Sequence, residues 1–192
     1  MTAALQLADE RGICALTVRS LGNRVGASAT AIYRYFPTKE ALIDAIREAL
    51  LTELQSNWKP ATDPIENLIS LGRALRSTAL RHPSLGQILI LGFAPNANTN
   101  QLPQVVIALL EQLGVPEDRL VVGYRQIETH AIGSAIFDFG GAPHHLRDRR
   151  ERMTAIGHRV FNEQLTDDES VARINDEAFE ASLRLILEYL TR

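Results

Sequence analysis

Apolar residues recur at spacings of three and four along nearly the whole chain, and nowhere do polar and apolar residues alternate for long enough to make a strand. That periodicity predicts a chain of helices, each with one or two faces to bury. Local signals then divide it. Ala4, Leu5 and Ala8 open an amphipathic helix that Gly12 stops. Thr17 stands as N-cap ahead of Val18, Leu21 and Val25, and Gly26 ends that short segment. Ser28 caps a third segment through Phe36, which Pro37 stops because its ring clashes with the preceding turn. Thr38 caps a fourth, with Glu40 in its first turn, that reaches about Trp58. "KPATDP" (59–64) then places Asp63 as N-cap and Pro64 at the first position of a helix that reaches His82-Pro83. Further helices fit residues 84–92, 103–113, 116–139, 145–165 and 168–190, and the polar "APNANTNQ" (94–101) fits a mobile loop.

The length of 192 residues suits one medium domain, or a small domain joined to a larger one. An apolar fraction of 45% is ample for a core. The richest apolar stretch, "LGQILILGF" (85–93), falls far short of the ~20 residues a membrane span requires, so a cytoplasmic protein is expected. Cys14, the single cysteine, offers no disulfide and sits between Ile13 and Leu16 as an expected small core residue. Residues 1–47 carry six bases against four acids, whereas the rest carries 14 against 19. A basic head on an acidic body points to an anionic partner at one end.

That head holds the sharpest motif. Two short helices joined by "GAS" around Gly26 have helix-turn-helix spacing, which presents the first residues of the second helix to a DNA major groove. Ala29, Thr30 and Ala31 are small enough to approach base edges, and free N–H groups at that end attract phosphate. Tyr33 and Tyr35 can reach phosphate oxygens, and Arg34 offers a bidentate fork or a phosphate clamp. Ile32 and Phe36, four apart, turn inward. On spacing alone, a three-helix corner with Tyr33 and Tyr35 partly buried fits nearly as well.

Residues 3–46, "AALQLADERGICALTVRSLGNRVGASATAIYRYFPTKEALIDAI", resemble the DNA-binding domain of the tetracycline-repressor (TetR) family over their whole length. The helix opener, Gly12, "LTVRSLGNRVG" and "AIYRYFPTKEAL" follow in the family's order and spacing. The resemblance implies an all-α protein: a three-helix helix-turn-helix domain at 1–47 and a larger effector-binding and dimerisation domain at 48–192. It implies that Arg19, Ala29, Thr30 and Arg34 face base edges or nearby backbone, and that Thr17, Ser28, Tyr33, Tyr35 and Lys39 hold phosphates. Many members have lysine or glutamine where Ala29 sits, so this chain has fewer polar base readers and its operator is not legible. Many also carry a basic N-terminal arm, which is absent here unless the true start lies upstream.

The rest is read mainly from its residues. The segments 116–139 and 168–190 are apolar on two sides, the latter through Val171, Ile174, Ala178, Leu185 and Tyr189 on one stripe and Phe179, Leu183, Ile186 and Leu190 on another. One side can cover the chain's own core and the other a second copy, giving a four-helix homodimer interface that the resemblance also implies. Leu89, Phe93, Ile127 and Phe137 suit the walls of a cavity for an apolar or aromatic effector, with His130 and Ser134 as polar spots in it or at the dimer seam, where a plain structural role fits them better than ligand contact. His130, Ser134 and Asp138 recur every four residues, ~6 Å apart along the axis, which is too far for a hydrolytic triad. His144 and His145 lack the spacing of a helical metal pair. No catalytic residue, metal or cofactor is expected. The reading is a ligand-responsive transcriptional regulator, expected to be a repressor, with operator DNA, a small effector and a second copy as partners. A DNA-binding regulator of this fold without an effector is the alternative, with an α-helical enzyme on the scaffold a distant third.

Overall fold

The computed structural model describes residues 1–90, 101–138 and 144–192, with backbone alone at 89, 90 and 101. The polar stretch at 94–100 and the end of the helix expected at 84–92 lie outside them. Eleven α-helices and no strand occur among the described residues.

α1 (Thr2–Arg11) ends at Gly12, and a 3-10 turn (Ile13–Ala15) leads to α2 (Val18–Val25). Thr17 Oγ1 accepts from Ser20 N at 2.9 Å while Thr17 N donates to Ser20 Oγ at 2.8 Å, a reciprocal cap. The 3-10 turn buries Ile13 and Leu16 and turns Cys14 out, so the cysteine is exposed rather than in the core as expected. α3 (Ala29–Tyr33) is capped by Ser28 and stops three residues before Phe36. Tyr35 N and Phe36 N both return to the Ile32 carbonyl, closing the chain into a turn, since a residue ahead of proline is pushed out of helical conformation. Gly22 lets this corner close: a Cβ there would lie 2.8 Å from the Ala27 carbonyl oxygen.

α4 (Lys39–Asn57) runs through the expected boundary at residue 47. Leu42, Ile46, Leu50 and Leu54, at spacings of four, are all buried along it. α5 (Pro64–Arg81) starts at the Asp63 cap, with α6 (Ser84–Ile90) beside it. α7 (Gln101–Gln112) begins two residues before Pro103, which its first turn tolerates. α8 (Glu117–Asp138) is the central helix, packed against α5, α7 and α11 (Asp168–Leu190). The single helix expected over 145–165 is two, α9 (His145–Thr154) and α10 (Arg159–Gln164), broken at Gly157 with φ +76°.

Side chains tie the head to the body. Asp9 on α1 accepts from Ser84 N at 3.2 Å and Ser84 Oγ at 2.6 Å. His82 puts Nδ1 2.8 Å from Asp9 and Nε2 3.0 Å from Glu53 on α4. Both contacts are hydrogen bonds only when both ring nitrogens carry protons. Ile13 N donates to Gln87 Oε1 at 3.3 Å.

Candidate nucleic-acid interface and apolar cavity

The row of bulky residues after α3 is divided. Ile32 is 9% exposed and Phe36 packs on the core, whereas Tyr33 and Tyr35 are 52% and 79% exposed. Arg34, Thr30 and Arg19 are exposed beside them, and Ala29 is half-buried at the start of α3. The partly buried corner is thereby excluded for both tyrosines. Several of the other expected DNA-facing residues already have structural partners. Thr17 and Ser28 cap α2 and α3, Ser28 Oγ accepting from Ala31 N at 3.2 Å. Lys39 donates to the Cys14 carbonyl at 3.4 Å, with two ammonium hydrogens to spare. α3 has only five residues, and Ser28 already takes one of its leading N–H groups, so its pull on phosphate is weaker than expected. Arg24, also exposed, forks onto Glu10 at 2.9 and 2.6 Å, and that hydrogen bond holds the Glu10 carboxyl below its usual range.

An apolar cavity lies in the body between α4, α5, α6, α7 and α8. Leu50, Leu54, Leu71, Leu75, Val106 and Ile127 form much of its wall, and its free volume is about 50 Å³. Of the six residues expected to line it, Ile127 does. His130 instead stacks on Phe179 with centroids 4.9 Å apart, and its Nε2 lies 2.9 Å from the Phe179 carbonyl oxygen. Ser134 accepts from Arg76 Nε at 3.1 Å, and Phe137 is 76% exposed beneath the Arg149 guanidinium. The Leu89 side chain and Phe93 lie outside the described residues. The physical reason is position along α8. Ser134 shares a face with Ile127 but lies ~10 Å further along the axis, where Arg76 stands opposite.

Arg76 went unread in the sequence, although it lies one position beyond Leu75 on the buried side of α5. It is 6% exposed and donates to Asp138 at 2.5 Å and to Asp176, with its guanidinium 5.3 Å from the Phe179 ring centroid. Arg149 also donates to Asp138, at 2.8 Å. Ser134 and Asp138 are therefore both bound to Arg76, His130 lies against the Phe179 carbonyl, and no triad forms. Spacing also missed the cavity's aliphatic walls on α4, α5 and α7 and its two polar residues, Tyr124 and Glu128, which line it one helical turn apart.

α8 and α11 each bury one side, through Leu120, Ile127 and Ala131 and through Phe179, Leu183 and Leu187. On their other sides Val121, Val122, Leu185 and Tyr189 are exposed, and a shallow trough between the helices includes Val122, Thr129 and Ile186. Among the described residues no helix is long and apolar enough to cross a membrane, and no three histidine, cysteine or acidic side chains are placed to hold a metal ion.

Residues 1–46 match the family model of bacterial regulatory proteins, tetR family, and residues 59–191 that of the tetracyclin repressor-like C-terminal domain. Over 141 residues the chain is 29% identical to the class A tetracycline repressor protein from transposon 1721 of Escherichia coli, covering 72% of this chain and 65% of that protein. Over 87 residues it is 32% identical to the nucleoid occlusion factor SlmA of Haemophilus influenzae, covering 43% and 40%. The chain thus spans less than two thirds of the length of these first curated relatives. The crystal structure of the TetR family protein ActR from Streptomyces coelicolor in complex with actinorhodin superposes with a TM-score of 0.71 at 19% identity, over 98% of this chain and 92% of that one, a likeness of fold.

Proposed function

The chain belongs to the tetR family of bacterial regulatory proteins, and we propose that this transcriptional regulator is a repressor that an apolar or aromatic effector releases from its operator. On this reading residues 1–47 bind a near-palindromic duplex, and residues 48–192 hold the effector and pair with a second copy through α8 and α11. Arg19, Ala29, Thr30 and Arg34 face base edges or nearby backbone, while Thr17, Ser28, Tyr33, Tyr35 and Lys39 hold phosphates.

One observation carries the coupling: α4 touches both ends. It begins six residues after Tyr33, and further along it walls the cavity with Leu50, Leu51 and Leu54. A free volume of about 50 Å³ has room for a few waters only. A ligand of ordinary size therefore parts the surrounding helices, α4 among them. Two α3 helices bound to one duplex face must stay one helical turn, ~34 Å, or a multiple apart. A shifted α4 breaks that register. The Asp9–His82–Glu53 contacts give α1 a second connection to the same movement.

The test begins with a thermal-shift screen of hydrophobic compounds, in which a ligand at a hundred times its Kd adds about 2.7 kcal/mol. The hit is then titrated with and without saturating operator. A coupling of about 1–3 kcal/mol, 5–150-fold, is expected, and linkage requires DNA to weaken the effector by the same factor. Equal affinities overturn the reading and leave a DNA-binding regulator without small-molecule control, the alternative that the small free volume favours.

A further inference from the structure

The cavity's wall has one polar spot. Among its described residues only Tyr124 and Glu128 are polar, and the rest are aliphatic residues, proline and glycine. Four residues apart, they share one face of α8, and Tyr124 Oη donates to Glu128 Oε1 at 2.9 Å. Burial first, then the Glu128 charge and hydrogen bond, push the Tyr124 hydroxyl well above its usual range, so it keeps its proton. That single proton is committed to the carboxylate. What the pair can offer a ligand is therefore lone pairs alone, on the phenol oxygen and on the carboxylate.

The remaining carboxylate oxygen is held by Arg125. Arg125 is 66% exposed, so water screens that pairing and an incoming donor can replace it at little cost. No described wall residue is cationic or has a side-chain N–H to give. An anion inside would meet the Glu128 carboxylate in apolar surroundings with no cation in the described wall to receive it.

Building on the effector reading above, we propose that the cavity selects lipophilic hydrogen-bond donors, amines above all, seated on the Tyr124–Glu128 pair, and rejects lipophilic acids. An ammonium takes over from Arg125 as the partner of Glu128 while its hydrocarbon part lies against the leucines of α4 and α5. An alcohol donates to the same oxygens without the charge. A carboxylic acid is ionised at neutral pH and carries the wrong sign.

Three probes on one ring system test this: 1-naphthylmethylamine, 1-naphthalenemethanol and 1-naphthoic acid, titrated by calorimetry into the full chain. The amine is expected to bind about tenfold tighter than the alcohol, the difference between a charge-assisted and a neutral hydrogen bond, and the acid weakest of the three. Glu128→Gln, a near-isosteric change on a side chain 23% exposed, should erase the amine's advantage and leave the alcohol's affinity nearly unchanged. A circular-dichroism melt checks that this variant folds. Equal binding of all three probes, or an amine preference that survives Glu128→Gln, overturns donor selectivity while leaving an apolar effector cavity in place. Binding by none of the three at millimolar concentration overturns the cavity reading itself.

Discussion

A hydroxyl and a guanidinium ask different things of DNA, so Tyr33 and Arg34 can be told apart although they are adjacent and both exposed. On the proposed assignment Tyr33→Phe removes only a phosphate hydrogen bond and should weaken all duplexes alike by ~1 kcal/mol. Arg34→Ala removes a charge as well, so it should cost more and reduce the salt slope by about one ion. Fluorescence anisotropy on duplexes from upstream of the coding region, at several salt concentrations, measures both. Two variants that bind like the parent would remove these residues from the interface. A second residue-scale expectation concerns Glu53. Burial raises its carboxyl, but Arg81 and His82 outweigh that and hold it below its ordinary 4.5. A depressed acid contributes stability above its unfolded value, and that contribution is lost as pH falls through the folded one. Below about pH 4.5 the parent should therefore lose stability faster than Glu53→Gln, and urea unfolding across that range should show converging curves. Parallel curves would mean that the contact carries no proton linkage.

At the scale of elements, the α2–α3 corner depends on one missing side chain. Gly22→Ala sets a Cβ 2.8 Å from the Ala27 carbonyl, a backbone atom that cannot swing aside. The strain should cost about 1–3 kcal/mol. Operator binding should fall further than stability does, because α3 is what must move. Chemical denaturation and anisotropy on the same preparation separate the two losses, and equal losses would show that α3 keeps its place. Helix starts were largely legible because capping is local: Thr17, Ser28, Thr38 and Asp63 all act as side-chain caps. Periodicity read straight through Gly157, since one glycine inside a helical pattern is ordinarily tolerated and only its left-handed backbone makes it a break.

For the molecule as a whole, the outer sides of α8 and α11 are the measurable feature. Val122 and Leu185 are 54% and 65% exposed, so Val122→Arg with Leu185→Arg should leave the protomer's fold intact, yield monomers in sedimentation velocity at micromolar concentration, and abolish operator binding. A parent chain that is already monomeric there would refute the homodimer. The sequence alone determined that the chain is all helix, where most helices begin, which family its first 46 residues resemble, and that α8 and α11 have two faces to cover. Each of these depends on spacings within a turn or two, which any stretch of chain carries by itself. Only the tertiary structure decided what stands opposite each turn. Arg76 meets Ser134 across 58 residues and Asp138 across 62, and His130 meets Phe179 across 49, while Tyr124 and Glu128 stand in the cavity wall. A helix's own sequence fixes which side is apolar, but the partner on that side is chosen by the packing of the whole chain.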